Sequence, residues 1–212
     1  MLTWAEADGG AACEALLSSA AFRAAAGPHL ASVAGVPERL APLLADFPSL
    51  AAVGLAEDYT STAFGLAGQG AKSHLAPMRL GPLCQLPLLQ SLTLELGVAG
   101  LSSLPPKVTE LALTEVDRIV LPAGTSGASV ADRLLAAAAA AGLARLTLRA
   151  ASGCIVFEEP HRAPLELELS HVARLLAAHA QRWAMRLGLH DDEALQQRLP
   201  ELELVRLQGQ PG

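Results

Sequence analysis

Several stretches of the chain gather residue types that do chemistry, and each is judged by the spacing that chemistry needs. Gly68-Gln69-Gly70-Ala71-Lys72-Ser73 ends like a phosphate-binding loop. That motif requires Gly directly before the Lys and again five positions earlier, where this chain has Ala71 and Leu66. The dinucleotide pattern fails too, because its third Gly would be Ser73. The stretch reads as a surface loop. His190-Asp191-Asp192-Glu193 holds metal-ligating types, yet adjacent side chains at a helix start cannot converge on one ion, and acids there suit a helix N-terminus. His171 and His179 stand eight residues apart on one predicted helix, about 12 Å along its axis, too far to share an ion.

Nucleophilic catalysis finds no better footing. The chain has no G-x-S-x-G elbow, and Gly124-Thr125-Ser126-Gly127 is explained as a turn and cap before a helix. Cys13, Cys84 and Cys154 lie far apart, with no C-x-x-C and no local His pattern. Glu158-Glu159 and Glu166/Glu168 are paired acids with no cleft implied around them. No catalytic residue, cofactor or metal site is therefore expected, and an enzyme is the lesser reading.

The composition points the same way. The 212 residues are 51% hydrophobic but only 3% aromatic, with no asparagine. A core of Leu and Ala suits thin stacked layers better than a ring-lined pocket, and the length suits one domain. A net charge of −6 with scattered arginines does not favour nucleic acid, whose non-specific affinity comes from clustered cations. The sparse, odd cysteine count fits reduced thiols in an intracellular, most simply cytoplasmic, setting. Acids in Met1–Asp8 do not suit a presequence, and an organelle is the alternative if one has been removed. The longest uncharged run, Leu80–Leu94, contains Pro82 and Pro87 and is too short to cross a bilayer.

The elements that would position any site are read from periodicity. Residues 11–26 form an Ala-rich helix stopped by Gly27-Pro28, and a short helix after Pro37 presents Leu40, Leu43 and Leu44. Phe47-Pro48-Ser49-Leu50-Ala51-Ala52-Val53-Gly54-Leu55 aligns position by position with 86–94. An L-x-x-L-x-L phrase at 89–94 returns 19 residues later at 108–113. Residues 56–74 read as a loop or degenerate repeat, 75–80 as a weak copy carrying Pro77, and 118–126 as irregular. Ser129 and Asp132 form a capping box before a helix to Ala141, and 143–148 is the next copy. Then come a strand at 165–169, a helix at 171–182, a strand at 183–189, a helix at 191–198 and a Pro-containing copy at 199–207.

Repetition of this kind, clearest at 50–55, 89–94, 143–148 and 202–207, resembles leucine-rich repeat proteins. The resemblance implies an α/β solenoid over 38–212, with parallel strands on a concave face and helices or loops on the convex face. Residues 1–37 would be an N-terminal helical cap. The family's Asn or Cys ladder after each strand is replaced here by Asp58, Gly97, Val116, Ala151, Asp192 and Gln210, which implies a divergent, irregular member. The resemblance also places Thr93, Glu95, Thr114, Thr147, Arg149, Glu168, Arg186, His190 and Arg206 on the concave face, as protein-binding residues.

Cys13–Leu30 resembles the second half of an F-box, with Phe22-Arg23 followed by Pro28-His29-Leu30, although the Leu-Pro opening is missing. That reading would make the chain a substrate receptor of a ubiquitin ligase; a capping helix is the simpler one. The expectation is a non-enzymatic protein–protein interaction module, a scaffold or structural subunit of a larger assembly. Its partners would be proteins rather than nucleic acid, membrane or a small-molecule substrate.

Overall fold

A recurring apolar-Pro-x-apolar phrase, at 47–50, 86–89 and 105–108, is the turn that launches three of the central strands. Leu50 N–H bonds to Phe47 O and Val108 N–H to Pro105 O, which places Pro48 and Pro106 second in their turns, where a fixed φ costs nothing. The carbonyl just before each strand then accepts two amides of the next phrase. Ala31 O takes Ala51 and Ala52, Ala51 O takes Gln90 and Ser91, Gln90 O takes Thr109 and Glu110, and Thr109 O takes Ala144 and Arg145, all at 2.7–3.2 Å. This backbone ladder ties successive turns together without any asparagine.

The computed structural model describes residues 2–3, 9–56, 80–95, 98–101, 104–116, 118–125, 127–150, 152–160, 162–192 and 197–207. In chain order these form β1 (Leu2–Thr3), α1 (Gly9–Ser18), α2 (Ala20–Ala26), β2 (Ser32–Pro37), a 3-10 segment (Glu38–Asp46) and β3 (Ala52–Ala56). A second 3-10 segment (Gly81–Gln85), β4 (Ser91–Glu95), β5 (Val98–Gly100), β6 (Glu110–Thr114) and β7 (Arg118–Val120) follow. The remainder is α3 (Val130–Ala140), β8 (Arg145–Arg149), β9 (Cys154–Glu158), β10 (Leu165–Glu168), α4 (Leu169–Leu176), a 3-10 turn (Ala177–His179), β11 (Trp183–Asp192) and β12 (Gln197–Arg206).

Eight strands make the main sheet, in the order β1-β2-β3-β4-β6-β8-β12-β11, and four make the second, β10-β9-β7-β5. Leu55, Leu94, Leu113 and Leu148 pair in one row, and Val53, Leu92, Leu111 and Leu146 in another. Both rows are buried, as period-two alternation requires of a sheet with one covered face. Ile119 of β7, Ile155 and Phe157 of β9, and the apolar faces of α3 and α4 belong to the same core cluster. That cluster runs unbroken from Cys13 to Leu204, so residues on both sides of position 37 share it.

The solenoid expected from the repeats is not what forms; the fold is mixed α/β. The copies at 50–55, 89–94, 108–113 and 143–148 lie side by side in parallel, but the later ones do not continue the stack. Strand β10 leaves the main sheet and pairs antiparallel with β9 in the second. β12 runs antiparallel to β8, and β11 antiparallel to β12, as a long hairpin closing the sheet. The expected helix at 191–198 is absent from its described part: Asp191 and Asp192 extend β11 and pair with Arg198 and Gln197. A second sheet shares the core with the main sheet, where helices or loops alone were expected. The reason is length. The returns after β4, β6 and β8 contain short runs, such as Arg118–Val120 and Cys154–Glu158, that pair with each other before the chain turns back.

Smaller differences have local causes. The N-terminal helix is two helices, because Ser19 stands between them and caps α2 by accepting from Phe22 N–H. Strand β2 bulges between Val33 and Val36, with Gly35 at φ +69, and the bulge presses on Gly54 of β3. The Ser129–Asp132 capping box forms as expected. Pro200 does not open a turn; it lies inside β12, beyond the residues paired with β8. The weak copy at 75–80 falls largely outside the described residues. Among these, no helix is long and apolar enough to cross a membrane.

Candidate functional site

The nine residues expected on one concave face do not share one surface. Thr93 of β4 and Thr147 and Arg149 of β8 lie on the side of the main sheet opposite the buried leucines, and Glu95 ends the same row. Arg186 of β11 pairs with Glu203, which pairs with Thr147, so it joins them. Thr114 ends β6 buried, its hydroxyl donating to Leu94 O at 3.4 Å. Glu168 belongs to the second sheet and accepts from Ser170 Oγ. The side chain of His190 falls outside the described residues. Arg206 faces the opposite way, continuing the core-facing row of Leu202 and Leu204.

That last correction follows from strand arithmetic. Leu202-Glu203-Leu204-Val205-Arg206-Leu207 can place either 202 and 204 or 205 and 207 on one face, and a one-residue slip reverses every side chain. The structure buries Leu202 and Leu204 and leaves Leu207 exposed past the strand end. The outward face that remains is laced by ion pairs. Arg149 holds Glu201 through Nε and Nη2, and Arg145 lies 3.6 Å from Glu110 and 3.5 Å from Glu203. Two of its cations are thus already engaged.

The other candidate residues resolve into structural pairs. Glu158 holds Arg118 at 2.9 Å, and Glu159 holds Arg133 at 2.6 Å and Arg162 at 3.4 Å, so the two adjacent acids serve different partners. Cys13 is fully buried, and burial pushes its thiol pKa up to about 11, which keeps it protonated and poorly nucleophilic at neutral pH. The F-box-like segment is sewn to the core through Cys13 and Leu17. Phe22 lies 5.9 Å from Phe47 at a tilt of 53°, and Arg23 bonds Asp46 at 2.6 Å.

Two features were not expected to form a site. The first is strand β11, the outer edge of the main sheet among the described residues. Its Met185, Leu187 and Leu189 pair with Leu204, Leu202 and Pro200 and so point to the core side, yet they are 36%, 49% and 63% exposed. The row that is buried on every inner strand is uncovered here. The alternation Met185-x-Leu187-x-Leu189 was legible; its exposure, with no layer over it among the described residues, was not.

The second is a cavity of about 410 Å³ between one face of α3, the turn before β11 and the end of β12. Asp132, Leu135, Ala136 and Ala139 line it at helical spacing, together with Gly127, His179, Arg182, Trp183, Arg206 and Leu207. His179 Nε2 lies 2.6 Å from Asp132 Oδ1, while Asp132 Oδ2 accepts from Ser129 N–H at 2.7 Å. Hydrogen bonds from Ser129, backbone first and then side chain, and the His179 contact hold the Asp132 carboxyl below its usual range. Backbone bonds from Arg182 N–H to His179 O and from Leu207 N–H to Arg182 O, both 2.9 Å, fix the turn that carries the basic residues. No local motif could reveal this meeting of residues 132, 179, 182 and 206. Comparison of the chain with protein-family models, with curated proteins and with solved structures finds no match to any of them.

Proposed function

We propose that the chain is a non-enzymatic protein–protein interaction module, a structural subunit of a larger assembly, and that its contact surface is the edge strand β11. The observation that carries this reading is the exposed row Met185, Leu187 and Leu189 beside an edge with no strand partner among the described residues. Long exposed apolar edges are otherwise blunted by charge, proline or a covering element, because they template strand addition. Such an edge takes an extended strand through its backbone, with alternate side chains setting specificity.

The occupant with matching chemistry is the same strand from a second copy. Antiparallel pairing about a two-fold axis at Leu187 sets Leu187 against Leu187 and Met185 against Leu189, all on the core side. The same register sets Arg186 opposite Gly188, so no like charges meet. It would join two eight-stranded sheets and set the two apolar rows side by side, each shielding part of the other from water. Sedimentation velocity across a concentration series tests it, with Leu187→Lys as the variant; the site is exposed, so the variant keeps its circular dichroism spectrum. Reversible dimer in the parent chain and monomer in the variant support the reading. Monomer for both at about 100 µM, where a contact of about 5.5 kcal/mol would half-associate, sinks it.

A further inference from the structure

We propose that the cavity under α3 is a binding site for a small organic phosphate, independent of the β11 contact. Three basic side chains, His179, Arg182 and Arg206, border it, and Asp132 is the only acid among its described lining residues. Both oxygens of that carboxylate are already engaged, one with His179 and one with the Ser129 amide. Neither arginine has an ion-pair or hydrogen-bond partner for its side chain among the described residues. Arg23, Arg39, Arg118, Arg133, Arg145, Arg149 and Arg162 each hold a carboxylate; Arg174 and Arg186 have no such partner either among the described residues, but neither lines the cavity. In a chain of net charge −6, two unpaired guanidinium groups bordering one concave space is an arrangement that calls for an anion.

Arg206 gives the second argument. It sits at the end of a row whose other members, Leu202 and Leu204, are buried, and its strand partner is the buried Trp183. Arg206 is solvent-exposed, but it stands on the core side of the sheet at the border of the cavity, where its charge can reach an anion held there. The rest of the wall is apolar: the Leu135 side of α3 and the Trp183 ring. Charged donors at one part of a site with apolar walls elsewhere suit a ligand with an anionic head and an apolar or aromatic body, and the volume falls within the range of small-molecule pockets. Two guanidinium groups and an imidazole, two of them on the turn before β11 and one at the end of β12, match a tetrahedral phosphate better than a planar carboxylate, which a single arginine can satisfy with two parallel bonds.

Isothermal titration of the intact chain with phenyl phosphate tests the assignment, with benzoate and inorganic phosphate as comparison ligands. Saturable one-to-one binding of phenyl phosphate is expected, weaker by about 10–100-fold in Arg182→Gln and in Arg206→Gln. Both positions are exposed, so circular dichroism should show the parent fold in each variant. Arg186→Gln, a neighbouring cation on the opposite face of the sheet, should leave the affinity unchanged. Absence of heat up to about 10 mM phenyl phosphate, a contact below about 3 kcal/mol, overturns the site. So does an equal loss in Arg186→Gln, which would mean general charge attraction. Benzoate binding as tightly as phenyl phosphate overturns the phosphate assignment, and inorganic phosphate matching phenyl phosphate overturns the apolar-bodied ligand.

Discussion

Replacing Glu159 by Gln should destabilise the fold far more than breaking an equally short ion pair elsewhere. Arg133 and Glu159 are 2.6 Å apart with side chains only 7% and 12% exposed, and Arg133 Nη1 also donates to Gly127 O at 3.0 Å. The pair therefore fastens α3, the loop before it and the end of β9 around one buried guanidinium. Removing one partner of a buried pair leaves an uncompensated charge and costs about 3–5 kcal/mol. Gln keeps an acceptor, so the lower end, about 3 kcal/mol, is expected. For a domain of this size that lowers the melting temperature by about 6–12 °C. Arg23–Asp46 is the internal control: it is also 2.6 Å long, but its side chains are 33% and 54% exposed. Asp46→Asn should cost about 0–1 kcal/mol. Urea unfolding followed by circular dichroism measures both, and Arg133→Leu/Glu159→Leu together should recover most of the loss. A cost for Glu159→Gln below about 1 kcal/mol would refute the argument that burial, rather than distance, sets the value of the pair.

Two further outcomes follow from local geometry. A Cβ on Gly54 would sit 3.1 Å from Ala34 Cα and 3.3 Å from Ala34 Cβ, under the β2 bulge. Gly54→Val should therefore cost about 1–3 kcal/mol in urea unfolding, and a neutral result would show that the bulge does not press on β3. The Cys13 thiol has its pKa raised by burial from 9.0 to about 11. Because the folded chain holds that proton more tightly, its contribution to stability is full below about pH 9 and lost as pH rises through 11. Cys13→Ala should flatten the alkaline arm of the stability–pH curve. If the arm is unchanged, another group carries it.

Much of the central sheet could be read from sequence, because its signal is local. The Pro-containing turn before β3, β4 and β6, and the L-x-x-L-x-L alternation shared with β8, involve neighbouring residues, so these four strands came out at nearly the right positions. What misled was treating every later match as the same object. Leu199-Pro200-Glu201-Leu202 has the letters of the turn phrase but lies in an antiparallel strand, since direction is decided by the hairpin with β11. Strands β5, β7 and β9 are three to five residues long and gain their identity only from each other, which no single window shows. The candidate site was least legible. The exposed row on β11 reads like any buried strand, because exposure depends on what lies above it. The cavity joins Asp132 to His179 across 47 positions, a meeting created by α3 packing beside α4 rather than by any motif.

The central claim is that β11 is the surface through which this chain joins others. Photo-crosslinking from Leu187, read by mass spectrometry of the purified chain, tests it most directly, with Thr93 on the outer sheet face as the comparison position. The account predicts an intermolecular product from position 187, captured at 183–192 of a second copy, and none from position 93. Equal yields from both positions, or none from 187 at concentrations where position 93 reacts, would contradict it.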